Sequence, residues 1–336
     1  MKVDAGGILD PTGAAALAQD AQARGYDGLW LGETAHDPLI GVALAAAGTD
    51  RIQVGTSIAV AFARSPMNLA MAANDLQLAS GGRFLLGLGT QIKPHITRRF
   101  SMPWSRPAAR MRELVLAIRA IWDCWNDGAE LNFRGEFYTH TLMTPFFNPG
   151  PNPHGRPPVL LAGVGELMTK VAGEVADGFL CHPFTTERFL REVTLPALTT
   201  GRESADGTLD GFTIAGAPFV VTGHDEQALA DAARGTRKQI AFYASTPAYR
   251  PVLEIHGWGS LQEQLNLLSK RGAWDEMGDL IDDDVLNAFA VVGEPDDIAP
   301  ELRRRYGDVM TRVSLNTPYT SDEKLWPDIV AALQVS

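Results

Sequence analysis

Residues 51–89 read RIQVGTSIAVAFARSPMNLAMAANDLQLASGGRFLLGLG. The stretch predicts strand, helix, strand. Residues 51–58 form an apolar strand. Ser65 and Pro66 make a helix start, a capping hydroxyl followed by the residue favoured at the first helical position. The helix runs over 67–80, and Gly81 and Gly82 stop it. Residues 83–89 are the next strand. One feature is out of place: Gly55, Thr56 and Ser57 stand in the first strand where Val or Ile is expected. Either the strand bulges or bends tightly there, or something flat lies against its backbone.

The same alternation extends in both directions. A strand over 2–5 leads through Asp10 and Pro11 into a helix over 12–24, which Gly25 ends. A strand over 28–31 and a short helix over 38–47 precede the quoted stretch. After it comes a helix over 108–125, apolar at 111, 114, 115, 118, 121, 122 and 125. Strands follow over 157–163, 177–184, 212–223 and 309–316. They alternate with helices over 167–176 and 185–198, from 225, over 297–307 and over 322–334. Eight strands, each followed by a helical segment, predict a single-domain (β/α)8 TIM barrel over 1–336. Such barrels need about 250 residues, so the surplus falls into upper-loop insertions near 91–109, 128–157 and 245–290. An open doubly wound sheet is the alternative, but no G-x-G-x-x-G follows the first strand.

Composition narrows the function. The chain is 45% hydrophobic and 21% charged, with a formal net charge of −11. That balance argues against a nucleic-acid or anionic-membrane partner, each of which needs a basic surface. No apolar run approaches the roughly 20 residues of a membrane span, and the N-terminus lacks the plan of a signal peptide. Cys124 and Cys181 have no metal-type spacing, and a cytoplasmic home is expected.

In a TIM barrel the site lies at the C-terminal ends of the strands. Read in order, those ends hold Gly6 and Gly7; Glu33, Thr34 and His36; Thr56, Ser57 and Ile58; Gly89, Thr90 and Gln91; Ala162 to Gly165; and Cys181 with His182. Small and hydroxylated residues dominate. No metal cluster, no carboxylate pair for glycosides and no nucleophile elbow is present. Such a rim suits a large planar ligand that supplies the chemistry itself. Gly163, Val164 and Gly165 join a strand to a helix start. The backbone N–H groups there form either a phosphate cradle or a plain turn.

GYDGLWLGE, VGTSIAVAFARSP, GRFLLGLGT and VLLAGVGELMTKVAGEVADGF together resemble successive blocks of the luciferase-like monooxygenase superfamily. The resemblance is strongest to its branch that uses the deazaflavin coenzyme F420. It covers residues 1 to about 200, and VVGEPDDIAPELRRRY is similar to a late block. It implies a ring lying on the third strand, over a bulge with a non-prolyl cis peptide at Ser57–Ile58. It implies cofactor contacts from Thr56, Ser57, Ile58, Thr90, Gln91, the phosphate loop Gly163, Val164, Gly165, Glu166 and Met168, and His182. Lys93, Arg98 and Arg99 are read as partners of an oligoglutamate tail, which flavin mononucleotide (FMN) lacks.

The resemblance implies a small organic substrate, and Trp104, Phe146 and Phe147 are candidate walls for it. His36 is the first choice to move its proton and Glu33 the second. The places where sugar-phosphate dehydrogenases of the family carry acids hold Gly7 or Ile8 and Gln91 or Ile92, so the substrate differs. FMN-dependent monooxygenation and non-catalytic flavin binding are the alternatives. No metal is expected, and relatives suggest a homodimer.

Overall fold

The fold is described from a computed structural model covering residues 1–8 and 10–335. The barrel strands are β1 (Lys2–Gly7), β2 (Gly28–Leu31), β3 (Gln53–Thr56), β4 (Phe84–Gly89), β5 (Val159–Gly163), β6 (Gly178–Cys181), β7 (Thr213–Gly216) and β8 (Arg312–Ser314). Their ladder order is β3, β2, β1, β8, β7, β6, β5, β4, and β4 pairs back to β3. The ladder therefore closes, and the fold is a (β/α)8 TIM barrel. The principal helices are α1 (Ala14–Ala23), α2 (Pro38–Ala47), α3 (Pro66–Ala79), α4 (Pro107–Asp127), α5 (Glu166–Val175), α6 (Leu195–Glu203), α7 (Glu226–Ala244), α8 (Pro295–Tyr306) and α9 (Trp326–Gln334). None of the described helices is long and apolar enough to cross a membrane.

Two compact units divide the chain. One comprises Ala5–Leu180 and Ala197–Thr213. Here parallel registers such as Leu31↔Thr56, Val54↔Phe84 and Leu86↔Val159 align β2 to β5. All six residues of β4 are buried, as a strand covered on both faces requires. Ser65 caps α3 by accepting from the Asn68 N–H at 3.2 Å, and Pro66 takes the first helical position. The seven apolar positions of α4 are all buried, and the Trp122 indole donates to the Ala70 carbonyl at 3.1 Å, fixing α4 against α3. The 128–157 insertion carries a hairpin, Phe133–Arg134 with Thr139–His140. The Glu113 carboxylate of α4 anchors its turn, accepting from the N–H groups of Glu136, Phe137 and Tyr138 at 2.6–2.8 Å. The 91–109 insertion contains a π-helical turn, His95–Arg99.

The other unit comprises Met1–Asp4, Cys181–Pro196 and Ile214–Ser336. A buried ion pair, Asp4 with Arg312 at 2.6 Å, joins β1 to β8. The strand expected over 212–223 is two strands. Pro218 has no N–H for a ladder, so β7 ends at Gly216, and Phe219–Val221 pairs instead with Ala290–Val292. The helix expected over 185–198 is interrupted by a π turn, Leu190–Thr194, just before Pro196, which cannot donate to residue 192. The 245–290 insertion folds as four short helices: Arg250–Glu254, Gly259–Arg271, Trp274–Gly278 and Asp283–Phe289. Together with α7 they bury Phe184, Phe219, Ile240, Leu265 and Phe289 in one core.

Candidate functional site

The end of β3 answers the question its small residues raise, and in part it corrects the expectation. A Cβ at Gly55 would stand 2.5 Å from the Trp30 ring and 2.9 Å from the Leu85 carbonyl oxygen. Thr56 is buried; its hydroxyl donates to the Gly87 carbonyl at 2.7 Å and accepts from the Gly87 N–H at 3.0 Å. Packing between neighbouring strands, not the approach of a ligand, sets both residues. Ser57 is different. It is exposed, and the peptide joining it to half-buried Ile58 is cis, as the resemblance implies. The Ser57 N–H donates to the Leu31 carbonyl at 2.9 Å, and the Ile58 carbonyl accepts from the Glu33 N–H at 3.2 Å.

Glu33 is almost fully buried. Its Oε2 accepts from the Val60 N–H and from Arg64, each at 2.7 Å. Arg64 also reaches Asp37 at 2.7 Å, and Asp37 caps α2 through the Leu39 N–H at 3.0 Å. Burial opposes charge on this guanidinium, yet its two carboxylate partners raise its pKa. Glu33 is thus a clamp on the segment after β3, not a free acid or base. His36 is exposed in the bend after β2 and faces a small cleft with Asp10, Gly32 and Asp37.

After β4, Thr90 is half-buried. Gln91 has φ +59°, and its side-chain oxygen accepts from the Ile92 N–H at 2.9 Å. Lys93 and Arg98 are exposed and have no ion-pair partner among the described residues. Arg99 donates to the Thr34 carbonyl and lies 4.8 Å over the Phe100 ring, so it ties the loop after β4 to the loop after β2. Trp104 packs edge-on against Phe62 at 5.7 Å, whereas Phe146 and Phe147 are exposed.

At the end of β5, Gly165 is the N-cap of α5 in extended conformation, and no side chain caps the helix. A Cβ at Gly165 would meet nothing within 4 Å, whereas one at Gly163 would meet the Met168 side chain at 2.9 Å. The Gly165 carbonyl accepts from the N–H groups of Met168 and Thr169, each at 3.1 Å. Those two N–H groups are thereby taken, which leaves the N–H groups of Glu166 and Leu167 at a helix start beside a residue without a side chain. Val164 is half-buried and Glu166 exposed.

In the other unit, His182 follows β6. Its Nδ1 accepts from the Phe184 N–H at 3.0 Å, and its Nε2 lies 3.1 Å from the Tyr249 hydroxyl. Burial pushes its pKa down to about 4, so it is neutral at pH 7, and burial pushes the adjacent Cys181 thiol up to about 12. Both nitrogens of His182 are engaged within the chain, which leaves neither for direct cofactor contact. The rings of Tyr243 and Tyr249 stand 4.9 and 4.6 Å from it. Neither tyrosine is expected from sequence, since Tyr243 sits in the last turn of α7 and Tyr249 in the 245–290 insertion, and neither place carries a motif.

The sequence profile of luciferase-like monooxygenases matches residues 3–312. An uncharacterized protein of Mycobacterium tuberculosis is 54% identical over 300 residues, covering 89% of this chain and 88% of that one. An F420-dependent glucose-6-phosphate dehydrogenase of Gordonia bronchialis is 30% identical over 59% of this chain and 61% of its own. The solved structure of the coenzyme F420 dependent tetrahydromethanopterin reductase of Methanopyrus kandleri superposes with a TM-score of 0.80 at 22% identity, covering 99% of this chain and 98% of that one.

Proposed function

The chain belongs to the luciferase-like monooxygenase family, and on that premise we propose that it is an oxidoreductase using the deazaflavin coenzyme F420 on a small organic substrate. The observation that carries this reading is the junction of β5 and α5. An uncapped helix start beside a glycine that borders open space is the local chemistry a phosphate requires, since N–H groups and the helix dipole both favour an anion there. Gly163, Val164, Gly165 and Glu166 would hold it through their backbone, while Met168, whose N–H goes to the Gly165 carbonyl, packs its side chain against Gly163. The Glu166 carboxylate offsets part of that attraction, but it is exposed and screened by salt.

The bound deazaflavin supplies a carbon centre, C5, that gives or accepts a hydride. The chain's own groups do the rest. Ser57 and Ile58, with Thr56 behind them, and Thr90 and Gln91 are the ring's proposed neighbours. Lys93 and Arg98 are uncommitted cations that suit the anionic tail, with Arg99 beside them. His182 acts through Tyr249 because both its nitrogens are occupied. His36, exposed and able to exchange protons with solvent, carries the proton. The whole chain, 1–336, is read as one catalytic domain. Two free cysteines suit a reducing cytoplasm.

A homodimer is also proposed. Residues 38–47 of α2, PLIGVALAAA, contain no polar side chain, yet Ile40 and Leu44 are exposed, as are Met71 and Leu78 on the adjoining α3. A helix apolar all round is normally covered.

Paired substitutions test the division of labour at β2. His36→Ala should lower turnover by roughly 10²–10⁴ with little change in stability. Glu33→Gln should destabilise by about 1–3 kcal/mol, because it removes one of the two carboxylates that compensate a largely buried guanidinium and leaves Asp37 as its sole charged partner. Turnover of the His36 variant within threefold of the wild type would remove His36 from the mechanism.

A further inference from the structure

We propose that Tyr249 is an oriented hydrogen-bond donor for a neutral carbonyl oxygen of the substrate, and that His182 is the positioning residue that aims it. The proposal rests on the proposed function, in which His182 at the end of β6 acts through Tyr249 and the substrate is a small organic molecule. The argument is one of proton placement. The Phe184 N–H points at Nδ1 of His182 at 3.0 Å, so that nitrogen must present a lone pair. A neutral imidazole has one proton, and it is therefore on Nε2. Nε2 lies 3.1 Å from the Tyr249 oxygen, so the imidazole donates and the phenol accepts. A phenol whose oxygen is already accepting offers its own proton outward. Among the described residues no acceptor takes it.

The surroundings select the class of acceptor. Tyr249 is half-buried, and its ring is held by His182 at 4.6 Å, Phe184 at 5.6 Å and Tyr243 at 6.2 Å. Burial raises its pKa, which keeps the phenol protonated. The adjacent cation is already spent. Arg250, the next residue in the chain, pairs with Glu254 at 2.5 Å and Glu263 at 2.8 Å. A carboxylate or phosphate would lose its hydration here without gaining a counter-charge. A ketone, aldehyde or amide oxygen loses far less and gains a hydrogen bond from the phenol O–H.

Two measurements on the full chain without cofactor test this. Nitrogen-15 NMR of histidine-labelled protein at pH 7 should show His182 with a bare Nδ1 and a protonated Nε2. A protonated Nδ1, or an imidazolium, overturns the proposal. Titration with 4-fluoroacetophenone, followed by fluorine-19 NMR, should show about fivefold weaker binding to Tyr249→Phe than to the wild type. His182→Leu should match that loss, and His182→Gln should recover part of it, because an amide N–H can stand in for Nε2–H. The oxygen-free analogue 4-fluoroethylbenzene should bind wild type and Tyr249→Phe alike. No detectable binding of the ketone to the wild type, or equal affinity for Tyr249→Phe, overturns the proposal. Since neither experiment uses a deazaflavin, failure of the chain to bind that cofactor sinks the functional reading while leaving these results to stand or fall separately.

Discussion

At pH 7 His182 carries no charge, and its two hydrogen bonds use both ring nitrogens. Its native pKa of about 4 lies below the ordinary 6.5 of an unfolded chain. The unfolded chain therefore binds a proton first as pH falls. Stability held above pH 6.5 should decline between 6.5 and 4 by the linkage of one proton. Urea unfolding at a series of pH values checks this. His182→Gln should lose that part of the acid sensitivity, and an unchanged slope would mean that other groups cause it. A histidine at the end of a strand is legible in sequence; its partners are not. Tyr249 is 67 residues away. The same holds for Glu33, whose guanidinium partner Arg64 is 31 residues away. Polar residue types at strand ends can be read from the chain, but pairings that only closure of the fold creates cannot.

The helix N-terminus of α5 is the element on which cofactor binding turns. Gly165 has φ −86° and ψ 148°, a conformation any residue adopts, and open space where a side chain would stand. Gly165→Asp should therefore cap α5 and stabilise the free protein by roughly a few tenths of a kcal/mol. The same carboxylate would occupy the N–H groups and repel a phosphate, so cofactor affinity should fall by about tenfold or more. A calorimetric melt and a binding titration on one sample read both effects. A variant that is stabilised yet binds normally would move the phosphate elsewhere. Elements with local signals were legible: α3 through Ser65 and Pro66, α4 through its apolar stripe, α2 through Asp37 and Pro38. The split of the strand over 212–223 was missed because residues 219–221 have their ladder partner at 290–292, beyond the reach of local pattern. Gly55 was misjudged for the same reason, since the ring that fills its space belongs to Trp30 on the next strand.

For the whole molecule, closure of eight strands was legible from alternation alone, because each strand and helix carries its own period and stop signals. Assembly and cofactor identity were not, since both depend on surfaces rather than periods. The uncovered apolar face of α2 and α3 predicts a dimer at micromolar concentration in sedimentation velocity. Leu44→Lys should yield monomers, and a monomeric wild type would mean that this face has another role. The cofactor decides between hydride transfer and oxygen activation, because a carbon at position 5 does not form the flavin peroxide. The most direct measurement is a fluorescence titration of the purified chain with coenzyme F420 and with FMN under the same conditions. Micromolar or tighter binding of the deazaflavin, with FMN clearly weaker, is expected from the β5–α5 junction together with Lys93 and Arg98. FMN affinity equal to or better than that of the deazaflavin would contradict it and make the chain a flavin-dependent monooxygenase.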